Sequence, residues 1–129
     1  MRPGREMDTR VAREIFGHEV WATNKTLHEK TPEGRRPLRN YTQEVEWAWE
    51  VAERMRITVL PVNGSQWFAF AGGGGSWESP RAFAEFLQAG DFRDCGAAVG
   101  DKIAVVICEA ALRALDKRRA ETEAARPAR

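Results

Sequence analysis

The clearest pattern along the chain is an apolar stripe at helical spacing in its second quarter. The stripe follows one side of a helix with 3.6 residues per turn, and its members are Val45, Ala48, Trp49, Ala52 and Met55. Asn40 and Gln43, three residues apart, form a plausible cap pair in front of it. The pattern predicts a helix whose buried face includes Trp49, whereas Trp47 lies off the stripe with Val51 one turn later.

Helix boundary signals predict two shorter helices on either side of this one. Asp8 is a good N-cap for a helix over Thr9–Phe16, and Gly17 can end that helix in the left-handed conformation. Ser79–Pro80 combines a capping residue with the residue that favours the first helical position. It therefore predicts a helix over 80–89.

The last helix carries apolar residues over much of its circumference, so we expect it to be well buried. Asp101 is its predicted cap, and Cys108 falls in the apolar pattern as a small core residue. A charged C-terminal tail follows over 117–129, and residues 1–7 are expected to form a flexible N-terminal extension. Between them, 8–116 is expected to form a single domain.

A hairpin is predicted in the middle of the chain. Ile57–Val62 and Gln66–Ala71 have strand patterns, and Asn63-Gly64 between them is a strong hairpin-turn signal. Pro61 has no backbone N–H, so its strand is expected at the edge of the sheet.

Three segments are predicted to be loops, because turn-forming residues replace apolar periodicity. They are residues 22–39, the glycine run Gly72–Gly75, and residues 91–100. The first of these loops carries a basic cluster, which consists of Arg35, Arg36 and Arg39.

Composition narrows the class of protein. The chain has 129 residues, of which 43% are hydrophobic and 30% charged, which is typical of one folded domain. The formal net charge of +1 argues against a DNA mimic and against binding nucleic acid mainly through bulk charge. The longest dense apolar run, Ile103–Cys108, is far too short to span a bilayer, and the polar N-terminus does not resemble a signal peptide. We therefore expect a cytoplasmic protein with no membrane association.

No catalytic or metal-binding motif is complete. His18-Glu19 begins a zincin motif, but Ala22 stands where the second histidine is needed, and His28-Glu29 fails in the same way at Pro32. The glycine run is not followed by the Lys-Ser or Lys-Thr of a phosphate-binding loop. We expect no metal, no cofactor and no catalytic residues.

Aromatic and arginine side chains are stronger candidates for ligand binding than these incomplete motifs, since the chain contains five tryptophans. Indole faces and guanidinium groups can hold a base and its phosphates, and they also dominate protein interfaces. Packing in the core and a solubilising loop would explain them equally well. The candidate ligand- or partner-binding residues are Arg35, Arg36, Arg39, Trp47, Trp67 and Trp77.

Four stretches of the chain resemble the phage ABA sandwich domain family, a group of small phage and prophage proteins. They are Val11-Ala12 with Ile15-Phe16-Gly17, Tyr41–Val45 with Ala48–Val51, the hairpin around Asn63-Gly64, and Ala104–Leu112. The resemblance implies an α+β fold in which a small antiparallel β-sheet is sandwiched between α-helices (α-β-α). It also implies a phage or prophage source and brings no catalytic residues with it.

These observations lead to a hypothesis of a non-catalytic binding protein that counters a bacterial defence system. It would sequester a nucleotide-type immune signal, as a homo-oligomer, or block a bacterial defence protein in the manner of anti-CRISPR proteins. Sequence-specific DNA binding is not expected. One alternative is a structural or regulatory homo-oligomer that pairs through Trp47 and Val51, and another is a small nucleotide hydrolase that uses Asp101 or Glu78.

Overall fold

The computed structural model describes residues 4–71, 79–89 and 96–124, and it shows an α+β domain with helices flanking strands, as predicted. The helices are α1 (Arg5–Arg10, continued by a π-helical turn over Val11–Ile15), α2 (Val45–Met55), α3 (Pro80–Ala89) and α4 (Ile103–Ala124). The strands are β1 (Glu19–Thr23), β2 (Thr26–Thr31), β3 (Gly34–Pro37), β4 (Ile57–Val62), β5 (Gln66–Ala71) and β6 (Ala98–Gly100). In these residues the strands form two antiparallel three-stranded sheets rather than one.

The first helix starts earlier than predicted, at Arg5 instead of Thr9. The sequence pattern places Met7 in a flexible extension, yet its side chain is only 1% exposed. Asp8 is a buried residue inside the helix and not its cap. Its carboxylate accepts hydrogen bonds from the backbone N–H and the hydroxyl of Thr42, each at 2.9 Å. Asp8 therefore connects α1 to the turn before α2.

The π-helical turn alters the direction of the chain after α1. The N–H of Phe16 donates to the carbonyl oxygen of Val11, five residues back, at 3.3 Å, which widens the last turn. The N–H of His18 then donates to the carbonyl oxygen of Ala12 at 2.9 Å. Gly17, with a φ of 71°, ends the helix in the left-handed region as predicted. Wide turns of this kind are rare and often occur beside functional sites.

In the first sheet, in the order β1-β2-β3, the end of β1 and all of β2 and β3 lie in the segment 22–39 that the sequence analysis assigned to a loop. Asn24 and Lys25, with φ of 49° and 65°, make the two-residue turn that matches strand twist. The strands lack the usual apolar alternation because polar residues, Glu29 and Thr31, occupy the buried face of β2. This prediction of a loop was wrong for that reason.

The second sheet, in the order β4-β5-β6, contains the predicted hairpin. Its two strands have the predicted bounds, and β4, which contains Pro61, lies at the edge. β6 lies in the predicted loop 91–100 and pairs with β5. Three residues are too few to show an alternating pattern, which explains this second error.

The predicted cap pair before α2 is wrong. The N–H groups of Gln43 and Glu44 both donate to the backbone carbonyl of Asn40 in a turn, and α2 begins at Val45. No side chain caps the helix among the described residues. The N–H of Trp47 donates to the carbonyl oxygen of Glu44 at 3.1 Å, which leaves the first-turn N–H groups of Val45 and Glu46 to solvent or to a ligand.

The buried face of α2 is rotated from the predicted stripe. Ala48, Val51 and Ala52 are buried, whereas Val45 and Trp49 are 50% and 51% exposed. α2 packs against α4, which is rich in alanine, and small residues on both helices allow close approach. Trp49 is therefore on the surface and not in the core.

α4 is the central element of the core and is well buried, as predicted. One side packs against α2 and the other against β5 and β6. The thiol of Cys108 is fully buried, as predicted, and lies 3.4 Å from the carbonyl oxygen of Tyr41, to which it donates. Burial raises the pKa of this thiol above its ordinary value.

The two ends of α4 differ from the prediction. The helix begins at Ile103, and its first hydrogen bond runs from the N–H of Val106 to the carbonyl of Lys102, so Asp101 lies one residue before the cap position. At the other end the helix continues to Ala124, into the segment predicted as a tail.

α3 begins at Pro80, as predicted. The glycine run Gly72–Gly75 and the part of the predicted loop 91–100 that precedes Gly96 lie outside the described residues.

Gly96 offers a sharp test of the packing around α4. A Cβ at this position would lie 2.5 Å from the carbonyl oxygen of Ala110 and from the nitrogen of Ala114, and its φ is +63°. We expect Gly96→Ala to lower the free energy of unfolding by at least about 3 kcal/mol in urea denaturation. The control is Gly64→Ala, where φ is +81° and nothing lies within 4 Å, so only about 1 kcal/mol of backbone strain applies. Equal losses in the two variants would contradict the close approach.

Candidate functional site

Two long helices begin at the same groove. The groove has a volume of about 720 Å³, which lies within the usual range for small-molecule sites. Its wall includes Val45 at the start of α2, the first residues of α4, and the indole of Trp67 on β5. We call it the helix-end groove.

Backbone N–H groups at both helix starts have no acceptor within their helices. In α4, Ile103, Ala104 and Val105 precede the first helical hydrogen bond, and all three line the groove. In α2, Val45 occupies the corresponding position. Such groups, together with the partial positive charge of a helix start, favour an anion.

The side chains of the groove add one ring and two opposite charges. Trp67 is half-buried and packs against Ala69, Ala98 and Val106, so its ring is held in place by the second sheet. Lys102 and Asp101 both line the groove and balance each other in formal charge. The two helix starts then leave the groove with a positive bias.

The structure separates the predicted arginine cluster into two faces. Arg36 pairs with Glu29 on the inner face of the first sheet, whereas Arg35 extends over the indole of Trp21 on the outer face, 5.7 Å from its centroid. Neighbouring residues of a strand point to opposite sides. Arg35 and Arg36 therefore do not contact one ligand together.

Among the candidate residues that the structure describes, Arg39 and Trp47 are the one pair recorded in direct contact. The guanidinium of Arg39 lies 3.8 Å from the centroid of the indole and donates to Glu50 at 2.7 Å. Trp47 packs against the main core cluster on its other side. Trp67 lies elsewhere, in the helix-end groove, and Trp77 lies outside the described residues.

A buried carboxylate that sequence reasoning missed organises a second pocket. Glu29 is 0% exposed and accepts hydrogen bonds from His18 Nδ1 at 2.6 Å, from the Tyr41 hydroxyl at 2.9 Å and from the backbone N–H of Arg39 at 3.0 Å. Arg36 Nη2 lies 3.5 Å from it. Buried carboxylates need such partners, because an uncompensated one is very costly.

The pocket beside Glu29 has a volume of about 370 Å³ and is lined mainly by polar side chains. They come from the chain after the π-helical turn, from the first sheet and from α2, and include His18, Arg36, Arg39, Tyr41 and Glu50. We call it the polar pocket. The only sequence signal for it was the pair of motifs His18-Glu19 and His28-Glu29, which were tested for metal binding and not for a His–Glu contact.

The environment fixes the protonation of this cluster. Burial alone would raise the pKa of Glu29, but the hydrogen bonds from Arg39, His18 and Tyr41 and the charge of Arg36 outweigh it and lower the pKa below 4.5. Burial, together with the charge of Glu29, raises the pKa of the Tyr41 hydroxyl. Glu29 is therefore ionised and Tyr41 remains a donor at neutral pH.

Comparisons with protein-family models, with curated proteins and with solved structures returned no match to this chain. Within the described ranges, no group of three histidine, cysteine, aspartate or glutamate side chains is placed to hold a metal ion. No helix in that part of the chain is long and apolar enough to cross a membrane.

Glu29→Gln tests the buried cluster. The substitution leaves Arg36 without its charge partner, so we expect a loss of about 3 kcal/mol in the free energy of unfolding. Because the folded-state pKa of Glu29 is lowered, its contribution is present above pH 4.5 and is lost as the pH falls through the folded-state pKa. Urea denaturation from pH 7 downward should give a flatter acid limb for this variant than for the wild type.

The matched control is Glu19→Gln, an exposed carboxylate on the outer face of the same sheet. We expect its unfolding free energy and acid limb to follow the wild type. A Glu29→Gln variant as stable as this control would show that the buried contacts contribute nothing to folding.

Proposed function

We propose that the protein is a non-catalytic binding protein that holds a nucleotide-type anion in the helix-end groove. The observation that carries this proposal is that the first residues of α2 and α4, whose N–H groups have no acceptor within their helices, line one groove beside an indole ring. Helix starts favour phosphate, and aromatic faces favour bases. The groove places both features within one site.

Each part of a nucleotide would meet a different part of the groove. The base would stack on Trp67, which the second sheet holds in position. The phosphate would accept hydrogen bonds from the N–H groups at the start of α4, with Lys102 supplying a full positive charge. The arginine cluster has no part in this arrangement, which moves the proposed contacts from Arg35 and Arg36 to Lys102.

Binding without turnover fits the side chains of the groove. Asp101 is the only carboxylate among the described residues that line it, and no histidine is among them. Hydrolysis of a nucleotide generally uses an acid–base pair or a metal ion. The hydrolase alternative that invoked Asp101 or Glu78 therefore has weaker support, and Glu78 lies outside the described residues.

The biological role within this proposal is counter-defence in the host cytoplasm, where the protein would sequester a nucleotide immune signal. The phage or prophage source is supported by the resemblance to the phage ABA sandwich domain family. The homo-oligomer that pairs through Trp47 and Val51 loses support, because Val51 is 0% exposed and Trp47 packs against the core.

A second candidate function is to block a bacterial defence protein. Val45 and Trp49, one helical turn apart on α2, expose half of their surfaces on the same side of the helix. Exposed aromatic and aliphatic side chains of this kind often anchor protein interfaces. Val45 also lines the helix-end groove, so a protein partner there would cover part of the same surface.

Lys102→Glu tests the nucleotide proposal. We expect the wild type to retain one ligand from a pool of cyclic and ADP-ribose-type nucleotides in native mass spectrometry, which also reads the number of subunits. Reversing the charge at the start of α4 should weaken that binding by at least about tenfold in calorimetry. Trp67→Phe, which keeps a ring, should weaken it less than the removal of the ring in Trp67→Ala.

The matched control is Lys30→Glu, the same charge change on the outer face of the first sheet. Its affinity should equal that of the wild type. Equal losses in Lys102→Glu and Lys30→Glu would indicate a general charge effect and contradict the groove. No retained nucleotide at all would favour the protein partner, and pull-downs with Trp49→Glu as the negative control would follow.

A further inference from the structure

The polar pocket contains a histidine whose two ring nitrogens have different roles. Glu29 is ionised, so it can only accept, and His18 Nδ1 must carry the proton of their 2.6 Å hydrogen bond. In the neutral ring, Nε2 is then an acceptor. No described residue hydrogen-bonds to this nitrogen, and the ring lines the pocket. With the ring in this neutral form, the pocket has an acceptor in its wall.

Donors and further acceptors lie in the same wall. Each guanidinium has five N–H donors, and the described hydrogen bonds use one from the Arg36 side chain and one from the Arg39 side chain. Glu50 at the rim is a partly exposed acceptor, with 46% of its side chain accessible. A ligand in this pocket would therefore meet acceptors and donors side by side.

The balance of charge disfavours an anion here. The two carboxylates that line the pocket, Glu33 and Glu50, balance the two guanidinium groups of Arg36 and Arg39. The buried carboxylate of Glu29, which contacts Arg36 behind the wall, adds a further negative charge. A phosphate would be repelled by the carboxylates and would compete with Glu50 for Arg39. The polar pocket is thus unlike the helix-end groove.

Vicinal hydroxyl groups fit this arrangement, because each hydroxyl both donates and accepts. One hydroxyl can donate to His18 Nε2 or Glu50 while its neighbour accepts from Arg39. Phe16 adds an apolar ring to the wall, held by stacking on His18 and Tyr41 with centroids 5.7 and 5.5 Å away. A few polar groups beside an aromatic surface are typical of small-ligand sites.

We propose that the polar pocket is a second binding site, independent of the helix-end groove, which takes a neutral ligand with a vicinal diol. The diol can belong to a free sugar or to the ribose of a nucleoside. In either case His18 Nε2 and Glu50 accept from its hydroxyl groups and Arg39 donates to them.

The test is an NMR titration of the two imidazole rings, read by long-range correlation of ring protons and nitrogens. His18 and His28 are the only histidines of the chain, and His28 lies on the outer face of the first sheet, stacked on Trp21. We expect neutral His18 to carry its proton on Nδ1. Methyl β-D-ribofuranoside at millimolar concentration should shift the Nε2 signal of His18 and leave His28 unchanged.

Further ligands distinguish a nucleoside from a free sugar, and a diol from an anion. Adenosine binding more tightly than the methyl riboside would indicate a nucleoside, and equal or weaker binding would indicate a sugar. Inorganic phosphate should leave His18 unchanged. A His18 shift with phosphate and none with the diols, or no shift with any of them, would overturn the proposal, as would a neutral His18 protonated on Nε2.

Substitutions provide an independent check with matched controls. Glu50→Gln and His18→Gln should each weaken diol binding by about tenfold, since the first replaces a charged acceptor by a weaker amide oxygen and the second removes the ring nitrogen that accepts. Gln at position 18 can still donate to Glu29, which favours a folded variant. Glu53→Gln on the same helix and His28→Gln should bind as the wild type does. Equal affinity of Glu50→Gln and Glu53→Gln would contradict the assigned contact.

Discussion

One buried carboxylate connects the segments that surround the first sheet. Glu29 lies in the middle of β2 and receives donors from the end of the π-helical turn, from β3 and from the chain that leads into α2. Removing a carboxylate from water is costly, and these donors offset the cost only if each segment is in place. The positions of β3 and of the start of α2 therefore depend on this ionic contact as well as on the apolar packing of Leu38 and Tyr41.

That dependence explains why the chain uses polar residues at positions that a small domain usually fills with apolar ones. The row Val20, Glu29 and Arg36 crosses the inner face of the first sheet, and two of its three members are charged. The Nε of Arg36 is buried without a hydrogen-bond partner among the described residues, which is a cost of this arrangement. Of this row, Arg36 lines the polar pocket, so the residue that pairs with Glu29 is also part of the pocket wall.

Sequence reasoning succeeded where local pattern and tertiary packing agree. The β4–β5 hairpin follows from its turn residues, and the burial of α4 follows from its broad apolar surface. It failed for the first sheet, because a strand whose buried residues are Glu29 and Thr31 has no apolar alternation. It also failed for Trp49, because the small residues of α2 and not its large ones decide which side meets α4.

Only some residues of the candidate sites could be predicted from the sequence. Trp67 could be selected as a candidate for ligand binding, but the meeting of two helix starts depends on the tertiary arrangement. The contact between His18 and Glu29 joins residues of neighbouring segments whose strands were not predicted. The arginine cluster was visible in the sequence, yet strand geometry places two of its members on opposite faces.

The two sheets also differ in how far apart along the chain their strands lie. β1, β2 and β3 follow one another through short turns, whereas β6 reaches β5 only after α3. Short loops close at little entropic cost, and long-range pairing is slower. During synthesis on the ribosome, all three strands of the first sheet are made before any strand of the second sheet. The helix-end groove, in contrast, acquires its second wall only when α4 has been translated, so the ligand proposed for it would stabilise only chains that have reached that stage.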